Sequence, residues 1–329
     1  MAKTPKIILS IFCAIVLALG TFLIVWFCGK NYKDFYSYAN EKFEIPALAE
    51  GLTPQGLHYD ETNNVFLVSG YMKDGSASRI YKITDNTSTY FTLTIDDEDY
   101  VGHCGGIATH GNLGYIVGEH KVYVFSLTEA IDATDGTSVV CQAVLDAPNG
   151  ADFITVNENQ IYIGEFYHET KYPTKEEHHL ESADGINPAL TFAYELDGSS
   201  PYGFDITSPS FVISTTEKIQ GMAITDDGYI VLSQSWSLAD SHLLVYKSLA
   251  DITTSKYDYN GQEIDMFVLD SSNLKTDLVL PSMSEEITMS NGEVYVSFEN
   301  ACLKYKLVTR HKNTKTYSID IDKMFEENN

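Results

Sequence analysis

The chain has 329 residues, of which 46 are acidic and 21 basic, giving a formal net charge of −25. That field repels phosphate backbones and no Lys/Arg stripe offsets it, so nucleic acid is not expected as a partner. With 44% hydrophobic and 12% aromatic residues the chain can bury a sizeable core, which excludes a disordered tail.

The amino end carries Lys3 and Lys6, and then Ile7 to Cys28 runs 22 residues without a charge. A membrane span needs about 20 apolar residues, whereas the apolar part of a cleaved signal runs about 7–15 with small residues at its end. This run ends in Val25-Trp26-Phe27, so it reads as an uncleaved anchor. The expected organisation is a transmembrane anchor over residues 1–30, a stalk over 31–42 and one domain over 43–329. Lys3 and Lys6 against Lys30 and Lys33 leave orientation weakly marked. The large acidic domain favours a single-pass protein of the cell membrane with that domain on the extracytoplasmic side.

Beyond residue 50, period-2 alternation replaces any helical stripe, and five hairpins share one layout. They begin at Gln55, Gly105, Ala151, Gln220 and Glu285, and run 14 residues from first to last polar position, or 15 in the first. Third strands are expected at Arg79–Ile83, Lys121–Phe125, Leu190–Tyr194, His242–Tyr246 and Cys302–Lys306. Fourth strands are expected at Tyr90–Ile95, Ser138–Leu145, Ser210–Ser214, Asp277–Leu280 and Thr316–Ile321, with Glu41–Ala47 as an outer strand closing the last repeat. Four antiparallel strands recurring every 45 to 70 residues predict an all-β fold, a β-propeller of four-stranded blades. Five repeats are visible, and six are allowed if the long third or fourth repeat hides a blade. Tyr167 to Asn187 reads as a surface loop inserted in the third repeat. The five cysteines show no CxxC spacing and read as free thiols.

These hairpins resemble those of the gluconolactonase/strictosidine synthase-like propellers. The segments HCGGIA, QGMAITDDGYIVLSQS and MSEEI…VYVSFEN also resemble bacterial extracellular propeller proteins. The resemblance implies a propeller, and for its lactonase members a divalent cation held at the channel by a Glu and Asn/Asp side chains. Where that pattern places the Glu of an EG pair, this chain has Gln55-Gly56, which weakens the lactonase reading.

In a propeller the start of each innermost strand and the end of the second share one face. Two columns should therefore meet at the channel mouth: Gln55, His103 with Gly105, Asp152, Gln220 and Glu285 with Glu286, and then Gly70, Glu119, Glu165, Gln234 and Glu299. Such polar groups need partners, and hydrogen bonds to neighbouring backbones are the plainest ones. The oxygen donors Asp152, Glu165, Glu286 and Glu299 would suit Ca2+. His103 is the acid/base candidate by location. Arg79 is a candidate for anion contact, with an ion pair as its plainer role. Tyr71, Tyr167 and Trp236 are candidates for an aromatic wall facing a sugar or peptide. His168, His178 and His179 lack HExxH spacing and read as solvated loop residues. No nucleophile elbow, Walker loop or dinucleotide fingerprint occurs in a suitable context. The expected function is binding of an envelope ligand or protein partner at the channel mouth. The alternative is a divalent-cation-dependent hydrolase of lactonase or esterase type.

Overall fold

The structure, a computed structural model, describes residues 10–18, 20–21, 31–84 and 87–326, and it divides into two units, 1–33 and 34–329. In the first unit, residues 10–18 and 20–21 are helical. The expected membrane anchor, and with it the single-pass cell-membrane location, are corrected by this structure. Among the described residues no helix is long and apolar enough to cross a membrane. Much of the 7–28 run, namely 7–9, 19 and 22–28, lies outside the described residues.

The second unit is all-β and propeller-like. Its first strand, β1 (Ala39–Glu44), follows a short helix, Lys33–Tyr38. Four strands come next in order: β2 (Leu52–Asp60), β3 (Val65–Met72), β4 (Arg79–Thr84) and β5 (Thr87–Ile95), with β6 (Glu98–Asp99) folded back on β5. β7 (Gly106–His110), β8 (Leu113–Gly118), β9 (Lys121–Ser126) and β10 (Thr137–Asp146) repeat the layout. The third group opens with β11 (Phe153–Asn157) and β12 (Gln160–Gly164). A small hairpin, β13 (Leu180–Ser182) with β14 (Gly185–Asn187), precedes its outer strands β15 (Ala189–Glu195) and β16 (Phe211–Thr215). The fourth group is β17 (Ile219–Ile224), β18 (Tyr229–Gln234) and β19 (Ser241–Ser248). A hairpin of β20 (Ser255–Tyr259) and β21 (Gln262–Val268) then intervenes before β22 (Leu274–Leu280). The last group, β23 (Ser284–Ser290), β24 (Glu293–Phe298) and β25 (Lys315–Ile319), is completed on its outer edge by β1. Each hairpin read from the sequence forms the inner pair of its group. The inner strands β2, β7, β11, β17 and β23 lie side by side in a closed ring.

Separate four-stranded blades were expected, and this too is corrected. Only β17–β18–β19–β22 and β1–β25–β24–β23 stand as four-stranded sheets. The first half of β10 pairs in parallel with β5 and its second half with β9, which fuses two groups into a nine-stranded sheet. The β20–β21 hairpin leaves the fourth group and pairs with β16 of the third. The long fourth repeat thus extends a neighbour's sheet instead of adding a blade. In both places an outer edge that would present unpaired amides is covered.

Cys302–Lys306 forms turns where a strand was expected. Side chains capture the local backbone there: Thr309 Oγ1 donates to Asn300 O (2.6 Å) and Asn313 N donates to Asn300 Oδ1 (2.7 Å). β25 takes the third place in that group and β1 the fourth. The stalk is likewise absorbed into the domain from Phe35 onward, since Phe35 is fully buried with its ring against Phe298 and Tyr317.

Adjacent groups pack through separate apolar clusters. Leu67, Ile80 and Phe91 meet Ile107, Ile116 and Phe125, while Tyr115 and Val117 meet Ile154 and Phe192. A sheet covered on both faces favours continuous apolar runs, and Val122–Phe125 is buried at every residue. At the axis the inner strands come very close. A Cβ on Gly106 would lie 2.6 Å from Glu286 Oε1, and one on Gly221 would lie 2.7 Å from Glu286 Cα.

Candidate functional site

A cavity of about 930 Å³ opens at the starts of the inner strands. Four non-glycine residues bordering those starts are left-handed: Cys104 (φ 56°), Ala151 (52°), Lys218 (64°) and Met283 (65°). Each such residue costs about 1–2 kcal/mol. Glu119 and His120 share this conformation in the turn from β8 to β9. Non-glycine residues held left-handed cluster where function imposes geometry.

Of the residues singled out in the sequence, Gln55, Tyr71, His103, Glu119, Asp152, Glu165, Gln220, Trp236 and Glu299 line the cavity, joined by Glu285. Gly70, Tyr167, Gln234, Arg79 and Glu286 do not, and the Tyr167 ring meets His179 edge-on, with centroids 5.4 Å apart. Gln234 donates from Nε2 to Glu217 O (2.9 Å). Arg79 pairs with Glu50 (2.9 Å), donates to Tyr81 Oη (2.9 Å) and covers the Tyr90 ring, the ion-pair role rather than anion contact. Glu286 is buried beneath the cavity, where Oε2 accepts from Leu57 N (2.8 Å) and Ile107 N (3.0 Å) and Oε1 accepts from Ile154 N (3.2 Å). One side chain thus ties β23 to β2, β7 and β11. Burial pushes its carboxyl well above the ordinary range, and the three amides pull against that.

Three sectors make up the wall. In the first, Glu285 is buried, Glu299 is half-buried, and the two are hydrogen-bonded to each other. Burial and the neighbouring carboxylate push Glu285 well up, and the pair shares a proton. Burial raises Glu299 to about 7, against the pull of Lys304, Glu285 and Gln55. Gln55 Nε2 reaches Glu299 Oε2 at 3.2 Å. Lys304 donates to Tyr71 Oη (2.5 Å) and to Tyr305, and lies over both rings. Burial would lower its ammonium, but these hydroxyls more than offset that and hold it above its ordinary value. His103 stacks on Tyr71 with ring centroids 5.0 Å apart. Its surface opens to the mouth, yet the surrounding protein first, and the Lys304 charge second, hold its imidazole below the ordinary range. At neutral pH it is uncharged.

The second sector holds Asp152, Glu165, Glu119, His120 and Asn149. Burial raises Asp152 to about 6, opposed by the Phe166 amide on its Oδ2 (2.7 Å). Glu165 makes three hydrogen bonds: Oε1 accepts from His178 Nδ1 (2.7 Å) and Leu190 N (2.9 Å), and Oε2 from Gly150 N (3.3 Å). His178 is therefore a buried partner of the wall, which corrects its reading as a solvated loop residue. In the third sector Trp236 is half-buried against Phe166 (5.7 Å), His168 (4.4 Å) and Tyr172 (6.0 Å), with Lys171 Nζ 5.0 Å from its ring centre.

The oxygen set expected for Ca2+ does not fit an ion. Glu286 is turned onto three amides, Glu165 onto His178 and two amides, and Glu299 onto Glu285 and Gln55. Among the described residues no group of three or more His, Cys, Asp or Glu side chains converges to hold a metal.

Sequence reasoning missed Lys304, Tyr305, Asn149 and Lys171. Lys304 and Tyr305 were hidden by the strand expected over Cys302–Lys306. The available signal was the Lys304-Tyr305-Lys306 cluster shortly after Glu299 in an acid-rich chain. A second depression, about 730 Å³, is lined by Asp197, Asp205 and Asp265, which are engaged by Ser199, Thr207 and Lys256.

No protein-family profile and no curated protein matches this chain. Among solved structures it is similar to the PQQ-bound aldose sugar dehydrogenase of Streptomyces coelicolor, at 10% identity and a TM-score of 0.47 over 85% of this chain and 96% of that one. It is also similar to a glucose dehydrogenase-type oxidoreductase of Thermus thermophilus, at 12% identity and TM-score 0.44, covering 85% and 98%. A third is the calcium-binding protein regucalcin of Agrobacterium tumefaciens, at 11% identity and TM-score 0.38, covering 82% and 90%. At these scores the likenesses carry no inference about activity, and the propeller-like architecture rests on the strand order itself.

Proposed function

We propose that this chain is a ligand-binding propeller whose axial cavity takes a small, hydroxyl-rich ring such as a sugar. One observation carries the reading: a half-buried indole, Trp236, lines the same 930 Å³ space as the hydrogen-bonding side chains Gln55, Glu119, Asp152 and Gln220. Pockets that take small ligands combine an apolar face with a few placed polar groups. An aromatic face fits the C–H side of a sugar ring, while carboxylates and carboxamides accept from and donate to its hydroxyls.

The chain has two tryptophans, Trp26 and Trp236, so a Trp26→Phe chain makes Trp236 a sole reporter in the cavity. Titration with hexoses and short oligosaccharides should change its emission saturably. Trp236→Ala, followed by calorimetry, should weaken binding roughly tenfold through the lost aromatic contact and buried area. Emission unchanged by every sugar would overturn the reading.

A further inference from the structure

The first sector of the cavity holds a cation that forms no ion pair among the described residues, with Glu299 as a partly ionised neighbour. In a chain with 46 acidic and 21 basic residues, that cation, Lys304, instead donates to two phenol oxygens, those of Tyr71 and Tyr305. An ammonium has three N–H donors, so one is left for a ligand. The carboxyls beside it, Glu285 and Glu299, are hydrogen-bonded to each other and share a proton. Beside them, the His103 ring stacks on Tyr71 and makes no hydrogen bond among the described residues, which gives this corner a second N–H donor. Tyr71, Gln55 and Cys302 add no charge to it, Glu299 adds part of one, and Lys304 is its one cation among the described residues. A cation on a cavity wall that no carboxylate pairs directly, and whose neighbouring acid is only partly ionised, marks a place for an anion.

We propose that the cavity's ligand is an anionic sugar, with its carboxylate or phosphate bound by Lys304 and His103 while its ring occupies the cavity beside Trp236. This rests on the sugar-binding reading above and adds the charge of the ligand. Lysine binds either anion as a point charge, so both sources share one chemistry.

The test compares D-glucuronate and glucose 6-phosphate with D-glucose on the Trp26→Phe chain, by Trp236 emission and calorimetry. At least one acidic sugar should bind roughly tenfold more tightly than glucose, the scale of one charge-assisted hydrogen bond. Lys304→Met should remove that preference while glucose still binds. Lys304→Arg should retain part of it, which guards against a misfolded Met variant. Whichever acid prevails identifies the anion. Equal affinity for glucose and both acids, or a preference that survives Lys304→Met, overturns the proposal and leaves the sugar reading intact. Silence from all three sugars overturns this proposal, and silence from the hexoses and oligosaccharides as well overturns the sugar reading with it.

Discussion

Glu285 and Glu286 are consecutive residues of β23 with opposite fates. Glu286 points down the axis and is saturated by amides from three inner strands. Glu285 points into the cavity and is satisfied by another acid, Glu299, at the cost of sharing a proton with it. Below the cavity the polar network closes on itself: His58 Nε2 meets Thr109 Oγ1 (2.8 Å), which donates to Asp60 Oδ2 (2.6 Å). At the mouth, charges are left partly uncompensated. A fully satisfied network fixes a structure, whereas a partly satisfied one awaits a ligand.

Replacing the two glutamates separately should break this comparison most sharply. Glu286→Ala leaves three buried N–H groups without an acceptor, each costing about 1–3 kcal/mol. The melting temperature should fall by roughly 10 °C or more at about 2–4 °C per kcal/mol. Glu285→Gln keeps a donor toward Glu299 and should shift melting by only about 2 °C. Equal losses in scanning calorimetry would mean that the two sites do not differ in kind.

The second test is pH. Glu285, Glu299 and Asp152 all have folded pKa values above their unfolded ones, so the folded chain binds more protons than the unfolded chain between them. Their contribution to stability is complete below about pH 4 and is lost as pH rises through about 6 for Asp152 and about 7 for Glu299. A chain carrying Asp152→Asn and Glu299→Gln should show a shallower fall in melting temperature from pH 5 to 8 than the unaltered chain. The same slope in both would show that these carboxyls are not raised.

Ligand affinity sharpens the comparison further. As pH rises through about 7, Glu299 gains negative charge beside Lys304, so an acidic sugar should bind several-fold more weakly at pH 8 than at pH 6. Glu299→Gln should flatten that profile in calorimetric titrations. The smallest effect belongs to Arg79, whose ion pair with Glu50 is largely exposed on the acid side. Arg79→Ala should cost under about 1 kcal/mol and leave sugar affinity unchanged.

The repeats were legible because strand alternation is local. Five hairpins in register fixed the inner ring, and the shared face of strand starts and second-strand ends followed from it. Gln55, Asp152, Glu165 and Glu299 line the cavity for that reason. The sheet edges were not legible. Whether β10 leans on β5, or β21 on β16, depends on how neighbouring groups fan apart, which no local pattern encodes. Side-chain direction within the columns was equally hidden. A bulge between Ser284 and Ile287 separates the roles of Glu285 and Glu286, and a sequence shows only two glutamates. The membrane anchor was read from the length and bulky end of an uncharged run, and among the described residues no helix is long and apolar enough to cross a membrane.

The pairing of β1 with β25, Ala39 opposite Ile319, has a consequence for how the chain folds. These partners are almost a whole chain apart, so the loop-closure cost of joining them is among the largest available to the molecule. During synthesis β1 emerges first and waits unpaired until β25 leaves the ribosome. The last group waits for β25, and β24 keeps an open edge until that strand arrives. Truncation before Lys315 should leave the edges of β1 and β24 exposed and yield an aggregating chain, even though the cavity residues would all be present.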